Sequence, residues 1–269
     1  MNNVTLGKYL PLDSFVHKLD PRIKICIMVV LMVAVFLPCG FWGHAIVGVF
    51  LLIALVASKI SVKYVYKSFK PIIFTMLFLL VINVLVIKTG DVLIDLGFIS
   101  IYTDAIIQTL YIAIRLLLMI VVTTLLTATT KPLDLTLGIE DLLTPFEKLG
   151  MRTHDLAMMI SLALRFIPSL LEEAQRILKA QASRGVDIEN GNFKEKISAI
   201  LSLIVPLFVS CFQRADDLAD AMEARGYIVG GKRVRYKQLH LNWKDIITLC
   251  ASLVLLVFLI VVGPKLNAL

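Results

Sequence analysis

Five long apolar runs dominate the sequence and restrict the folds that it can adopt. The runs cover residues 25–41, 41–58, 71–87, 105–128 and 246–263. A helix needs about 20 mainly apolar residues to cross a bilayer, because each residue advances it by only about 1.5 Å. Charged residues make up 17% of the chain and hydrophobic residues 58%, whereas soluble domains average about 25% and about 45–50%. The sequence therefore predicts an all-α integral membrane protein with about five transmembrane helices.

The basic residues between these runs predict which side of the membrane each loop occupies. The leader 1–24 and the loop 59–70 hold four Lys or Arg each, whereas the segments on the other side hold only Lys88 and Lys265. Lysine and arginine collect on the cytoplasmic side of membrane proteins. We therefore predict a multi-pass protein of the cell (plasma) membrane, with a cytoplasmic N-terminus and an external C-terminus.

The same count divides the chain into segments. These are a cytoplasmic leader (1–24), transmembrane helices 1–4 (25–130), a cytoplasmic or interfacial block (131–245), the last transmembrane helix (246–263) and an external tail (264–269). The block ends in a basic and aromatic stretch just before the last helix: Lys232, Arg233, Arg235, Tyr236, Lys237, Trp243 and Lys244. This composition suits anionic headgroups. We therefore expect the stretch to contact membrane lipid, and not nucleic acid.

Two stretches inside the polar block compete with the five runs as membrane spans. Residues 156–171 and 197–212 are apolar, but each is only 16 residues long and each contains a proline. Both continue into an amphipathic pattern, in which apolar or small residues recur every three or four positions. The pattern predicts two long crossing helices of roughly 28 residues each, with kinks at Pro168 and Pro206. Whether their apolar starts lie in the membrane or at its interface stays open at this point.

Each of these helical patterns ends in a small residue, an arginine and a glycine. The tripeptides are Ser183-Arg184-Gly185 and Ala224-Arg225-Gly226, 41 positions apart. One explanation is local, because arginine complements the negative end of a helix dipole and glycine is preferred just after a helix. Two matched copies, each with a cation that stays charged, favour a second explanation. We predict that the two tips present Arg184 and Arg225 to other proteins.

The sequence shows no pattern typical of a catalytic or metal site. No serine or cysteine nucleophile has a nearby base, and the four histidines are scattered, so we predict no catalytic residue, no metal site and no cofactor in this chain. The apolar runs contain Arg115 as their one full charge, and we favour a structural role for it. A channel or secondary transporter would place ionisable residues along its pathway. The expected protein is therefore a membrane scaffold with a cytoplasmic coupling block.

Four short motifs resemble the transmembrane T component of energy-coupling factor transporters, a branch of the ABC transporters. They are His-Lys-Leu-Asp-Pro-Arg-Ile-Lys (17–24), Ala-Leu-Arg-Phe-Ile-Pro (163–168), Ala-Gln-Ala-Ser-Arg-Gly (180–185) and Ala-Met-Glu-Ala-Arg-Gly (221–226). The resemblance covers nearly the whole chain. The two arginine tripeptides are its most specific part.

The resemblance implies a transporter of four proteins that takes up a vitamin or a similar micronutrient. Two related ATPases would hold ATP and Mg²⁺, a membrane-embedded S component would bind the substrate, and the T component would link them. By motif match, Arg184 and Arg225 would each dock on one ATPase. The apolar starts of the two long helices would hold the S component. The side chains that we expect at that contact are Leu164, Ile167, Leu201, Leu203 and Leu207.

Two other classes of membrane protein remain as alternatives. The permease subunit of a conventional ABC transporter would carry a polar pathway in its own spans. A polytopic membrane enzyme would require clustered acids or histidines near the bilayer surface, and the sequence shows no such cluster.

Overall fold

The computed structural model describes residues 9–95, 100–149, 153–185, 192–228 and 239–266. Most of these residues are helical, which confirms the predicted all-α class. The described helices are α1 Pro21–Phe36, α2 Gly40–Ser58, α3 Val62–Val86, α4 Thr103–Thr129, α5 Pro132–Leu143, α6 Thr153–Ser183, α7 Phe193–Ala224 and α8 Trp243–Leu266. The other described elements are an antiparallel hairpin, β1 Val92–Asp95 with β2 Ser100–Tyr102, and a 3-10 helix, Thr144–Leu149.

The chain divides into two compact units. Among the described residues, one contains 140–149, 153–185 and 192–228, and the other contains 9–95, 100–139 and 239–266. We call the second unit the bundle, because α1–α4 and α8 pack together in it, and the first the helix-pair unit, because it holds α6 and α7. Part of the predicted basic stretch (232–237) lies outside the described residues.

Helix α4 is central to the bundle, since α1, α2 and α3 all contact it, while α8 packs against α1 and α2. The core between these helices consists of buried aliphatic side chains. They include Leu31, Val35, Val47, Leu51, Leu118, Val122 and Leu259. Membrane helices associate by close packing and hydrogen bonds, because lipid tails are as apolar as the side chains themselves. The fit of this core therefore holds the bundle together.

The predicted hairpin turn between the first two runs is confirmed, and it packs tightly. It passes through Pro38 and Cys39, and Gly40 begins α2 with a positive φ of 64°. A Cβ on Gly43 or on Gly263 would collide with Cys39. Small residues at a helix interface let membrane helices approach closely. Here they allow α8 to lie against the start of α2.

The described helices that are long and apolar enough to cross a membrane differ from the five predicted runs. They are α2, α4, α6, α7 and α8, so three of the predicted runs coincide with them. The run 71–87 covers the second part of α3, whose parts Lys63–Lys70 and Ile72–Val86 are long and apolar enough only when taken together. They meet at a bend of 49°, where proline interrupts the helical hydrogen bonds. The run 25–41 overlaps α1 at residues 25–36, and the 16 residues of α1 extend only about 24 Å. That is shorter than the about 30 Å of a hydrocarbon core.

The two long helices predicted in the polar block are confirmed, and they pack against each other. α6 has 31 residues and α7 has 32. Gln181 Nε2 donates to the carbonyl of Ser202 (3.4 Å), and Arg214 pairs with Glu173 (3.0 Å). From the first of these contacts to the second, the residue number falls from 181 to 173 in α6 and rises from 202 to 214 in α7. The two helices therefore run antiparallel.

Candidate partner-docking site

The second arginine tripeptide closes α7 in a hydrogen-bonded turn. Gly226 has a positive φ of 73°, and its N–H donates to the carbonyl of Glu223 (2.8 Å). The N–H of Tyr227 donates to the carbonyl of Met222 (3.0 Å). This pair of bonds is the Schellman arrangement, which satisfies carbonyls that a helix leaves free at its end. Arg225 is therefore the last residue before the chain turns away from the helix.

The first tripeptide ends α6 in a similar way. Gly185 has a positive φ of 83°, a conformation that glycine adopts without strain. Its N–H donates to the carbonyl of Ala182 (3.0 Å), and the N–H of Arg184 donates to that of Gln181 (3.0 Å). The local explanation for the tripeptides thus accounts for the glycines, whereas for the arginines it offers only the interaction of their charge with the helix dipole.

Both arginine side chains are exposed at these tips. A Cβ on Gly185 or Gly226 would meet no atom within 4 Å, so the turns stand clear of other described residues. Within the part of the chain that the structure describes, neither Arg184 nor Arg225 has an ion-pair partner. A guanidinium offers five donors in a planar fork that fits a carboxylate. Each tip is therefore able to bind a carboxylate of another protein.

The antiparallel pairing places the two tips at opposite ends of the helix pair. Gln181, three residues before Arg184, lies beside Ser202 of α7. Between Ser202 and Arg225 the helix advances by 23 residues, or about 35 Å. The structure thus carries both predicted arginines on one helix pair but does not bring them together.

A hydrogen bond between the helices compensates for the proline in α7. Pro206 has no N–H to bond to the carbonyl of Ser202, four residues earlier. Gln181 of α6 donates to that carbonyl instead (3.4 Å), and its own carbonyl accepts the N–H of Arg184. Gln181 therefore connects the proline turn of α7 to the arginine tip of α6. The sequence motif contains Gln181, but only the tertiary contact shows this link.

An apolar groove of about 670 Å³ separates parts of α6 and α7. Its lining includes Phe166, Ile167, Leu170, Leu218, Met222 and Tyr227. The small residues Ala215 and Ala219 also line it and are exposed. The helices therefore cross with an open groove along this face, which another apolar surface would fill.

A continuous exposed apolar stripe follows α7, and sequence reasoning identified only part of it. Its residues recur at steps of three and four: Ile197, Ile200, Leu201, Ile204, Val205, Phe208, Val209 and Phe212. Of the predicted S-component contacts, Leu201 belongs to this stripe, whereas Leu203 and Leu207 lie on a partly buried face. On α6, Ile167 is exposed and Leu164 is partly buried. Exposed apolar area of this extent faces either lipid or another protein.

Comparisons with known proteins identify the family of this chain. The family described as cobalt transport protein (CbiQ) matches residues 13–236. A relative from Clostridium kluyveri, named energy-coupling factor transporter transmembrane protein EcfT, is 44% identical over 258 residues, which are 95% of each chain. The chain belongs to this family.

Other relatives of the same name are similar over their full length. The one from Bacillus subtilis is 41% identical over 262 residues, covering 96% of this chain and 99% of its own. The one from Lactococcus lactis subsp. cremoris is 39% identical over 267 residues, covering 99% and 100%. The chain is thus a multi-pass transmembrane component of an energy-coupling factor transporter, as the motifs indicated. These names are consistent with a non-catalytic subunit.

The leader motif (17–24) belongs to a buried polar cluster of the bundle. Asp245, in the first turn of α8, is 1% exposed. Its carboxylate accepts the N–H of Asp20 (2.9 Å) and the N–H of Asn242 (2.7 Å). Asp20 in turn caps α1 by accepting the N–H of Arg22 (2.9 Å). The motif therefore ties the start of α1 to the start of α8, a contact that sequence reasoning missed.

Lys24 adds a buried cation to this cluster. Its ammonium donates to the carbonyls of His17 and Thr129, each at 3.1 Å. Thr129 lies in the last turn of α4, where a cation complements the helix dipole. Burial, with a smaller contribution from the nearby Lys24 ammonium, lowers the pKa of His17 below its usual value, which favours the neutral imidazole. The cluster thus joins three helices and the leader.

Arg115, the charge inside the fourth predicted span, is held by aromatic rings of the bundle. Its guanidinium donates to the hydroxyl of Tyr111 (3.2 Å) and lies 4.9 Å from the centre of that ring. It also lies 6.0 Å from the centre of the Phe36 ring. Cation–π contacts of this kind are stabilising. They favour the structural role expected for Arg115.

Proposed function

We propose that the chain is the coupling subunit of an energy-coupling factor importer for a vitamin or a similar micronutrient. In this proposal, it transmits the ATP-driven motion of two ATPase subunits to a substrate-binding S component. The observation that carries the proposal is the pair of exposed arginine tips at opposite ends of one helix pair, about 35 Å apart. Two docking points at this separation suit two ATPase subunits better than one.

The coupling follows from the stiffness of the two long helices. Arg184 and Arg225 would each bind carboxylates in a groove on one ATPase. ATP and Mg²⁺ would lie on the ATPases, and this chain would hold no cofactor. Closure of the ATPases would move the two grooves relative to each other, so α6 and α7 would have to tilt about the contacts between them. A rigid-body motion of this kind carries a small change at one end to a distant surface.

The apolar surfaces of the helix pair would hold the S component. The stripe on α7 exposes Leu201 and Phe208, and Ile167 of α6 lines the groove between the helices. Tilting of the pair would then tilt the S component within the membrane. The S component would bind the transported compound and determine the specificity of transport. The present chain would then need few polar groups in its own spans.

The composition of the purified complex tests this function. One tagged copy of the chain, purified from its native membrane in mild detergent, should carry one copy each of two different ATPases and one S component. Native mass spectrometry measures this composition. A complex of two copies of the chain, each with one ATPase and with no S component, would instead support a conventional ABC permease.

The proposed orientation places the N-terminus in the cytoplasm and the C-terminus outside. Single cysteines at positions 2, 190 and 267, in a background without the four native cysteines, report on it. An impermeant thiol reagent applied to intact cells should label Asn267→Cys and leave Asn2→Cys and Asn190→Cys unlabelled. Labelling of Asn190→Cys from outside would overturn the orientation.

A further inference from the structure

The bundle contains a cavity whose lining residues have no role in the proposed function. It encloses about 230 Å³ between the leader, α1, α2, α4 and α8. Its walls are almost wholly apolar and include Leu19, Met28, Leu31 and Leu126. The exposed residues of the lining are Phe15, Ile53 and Ala251. The cavity therefore opens to the surface of the bundle between α2, α8 and the leader.

The cavity lies near one end of the bundle. Ala57 is next to the last residue of α2, Thr129 is the last residue of α4, and Thr248 lies near the start of α8. In the proposed orientation this is the cytoplasmic end. The opening of the cavity therefore faces the acyl chains of the cytoplasmic leaflet, just below the headgroups.

A lysine lies at the headgroup side of this opening. The ammonium of Lys244 is 5.9 Å from the centre of the Phe15 ring. Thr248 lies one turn further along the same face of α8 and donates to the carbonyl of Lys244 (3.1 Å). Lys244 is exposed, and among the described residues no carboxylate pairs with it. Lys24 also lines the cavity, but two carbonyls already accept its hydrogen bonds.

From this arrangement we infer that the cavity binds one acyl chain of an anionic phospholipid whose phosphate lies against Lys244. The cavity is smaller than the about 300–1,000 Å³ of sites for drug-sized ligands, and part of a single acyl chain suits its apolar walls. A basic residue near a membrane surface attracts anionic lipid with about 1 kcal/mol, which is about a fivefold preference. Trp243, the neighbouring residue, is of the type that anchors helices at the headgroup level.

Quenching of Trp243 by brominated lipid tests the inference. The chain has two tryptophans, so Trp42→Phe leaves Trp243 as the only one. The full chain is placed in a series of nanodiscs of dioleoylphosphatidylcholine that contain increasing fractions of either dibrominated phosphatidylglycerol or dibrominated phosphatidylcholine. The anionic lipid should reach half-maximal quenching at about one fifth of the concentration of the neutral lipid. Both leaflets carry the same lipid, so the result does not depend on the orientation of the chain.

Two variants and their controls assign the effect to this cavity. Lys244→Gln should remove the preference for phosphatidylglycerol, whereas Lys67→Gln, at an exposed lysine of α3 away from the cavity, should retain it. Ala251→Phe should fill the cavity and remove the excess quenching, whereas Val254→Phe, at an exposed position of α8 outside the lining, should not. Equal quenching by the two lipids, or equal effects of Lys67→Gln and Lys244→Gln, would overturn the inference.

Discussion

Charge reversal at both tips, by Arg184→Glu together with Arg225→Glu, should remove both ATPases from a chain that still inserts into the membrane. Loss of one member of a buried charge pair at an interface costs about 2–5 kcal/mol, and each 1.4 kcal/mol changes affinity tenfold. A single Arg184→Ala or Arg225→Ala should therefore weaken its own contact by at least about 30-fold. The complex should persist in each single variant because the other tip still holds. The yield of each ATPase that co-purifies with the tagged chain measures these effects.

Control variants separate docking from damage to the helices. Arg176→Glu reverses another exposed arginine of α6 and should leave both ATPases bound. Phe208→Asn, in the exposed stripe, should release the S component while both ATPases remain. If the arginines only complement the helix dipoles, the double reversal should lower the stability of the helices by about 1 kcal/mol or less and leave the complex intact. Wild-type yields of both ATPases from the double variant would then contradict the docking role.

Replacement of Asp245 by alanine should lower the unfolding temperature of the bundle by about 10 °C. The substitution leaves the buried N–H of Asp20 and the partly buried N–H of Asn242 without the acceptor that they have now. Each unsatisfied buried donor costs about 1–3 kcal/mol, and about 1 kcal/mol shifts the midpoint by about 2–4 °C in a chain of this size. Thermal unfolding of the full chain in detergent, followed by intrinsic fluorescence, measures the shift.

A second aspartate serves as the matched control. Asp13 is exposed and, among the described residues, pairs only with Lys18 at the surface (3.9 Å), so Asp13→Ala should leave the midpoint unchanged. Asp245→Asn keeps one oxygen acceptor and should give an intermediate shift. Equal midpoints for Asp245→Ala and Asp13→Ala would show that the polar cluster does not hold the bundle together.

The sequence by itself predicted the elements whose signal is local. The long helices α6 and α7 follow from a hydrophobic period that continues through Pro168 and Pro206. The turn at Pro38 and the positive-φ glycine after Arg225 follow from the restricted backbone preferences of proline and glycine. Hydropathy alone marked the apolar runs but not the break at Pro38 or the bend at Pro71 within them, because it averages over neighbouring residues.

Only the tertiary structure decided which distant groups meet. Asp20 and Asp245 are 225 residues apart, and neither lies in a pattern that indicates a partner. The bond from Gln181 to Ser202 exists because two helices run antiparallel in one register. The exposed stripe of α7 is defined by which face α6 leaves uncovered. Periodicity reports the environment of a residue along its own helix, whereas these contacts depend on how separate helices pack, and that is set by the fit of all their side chains together.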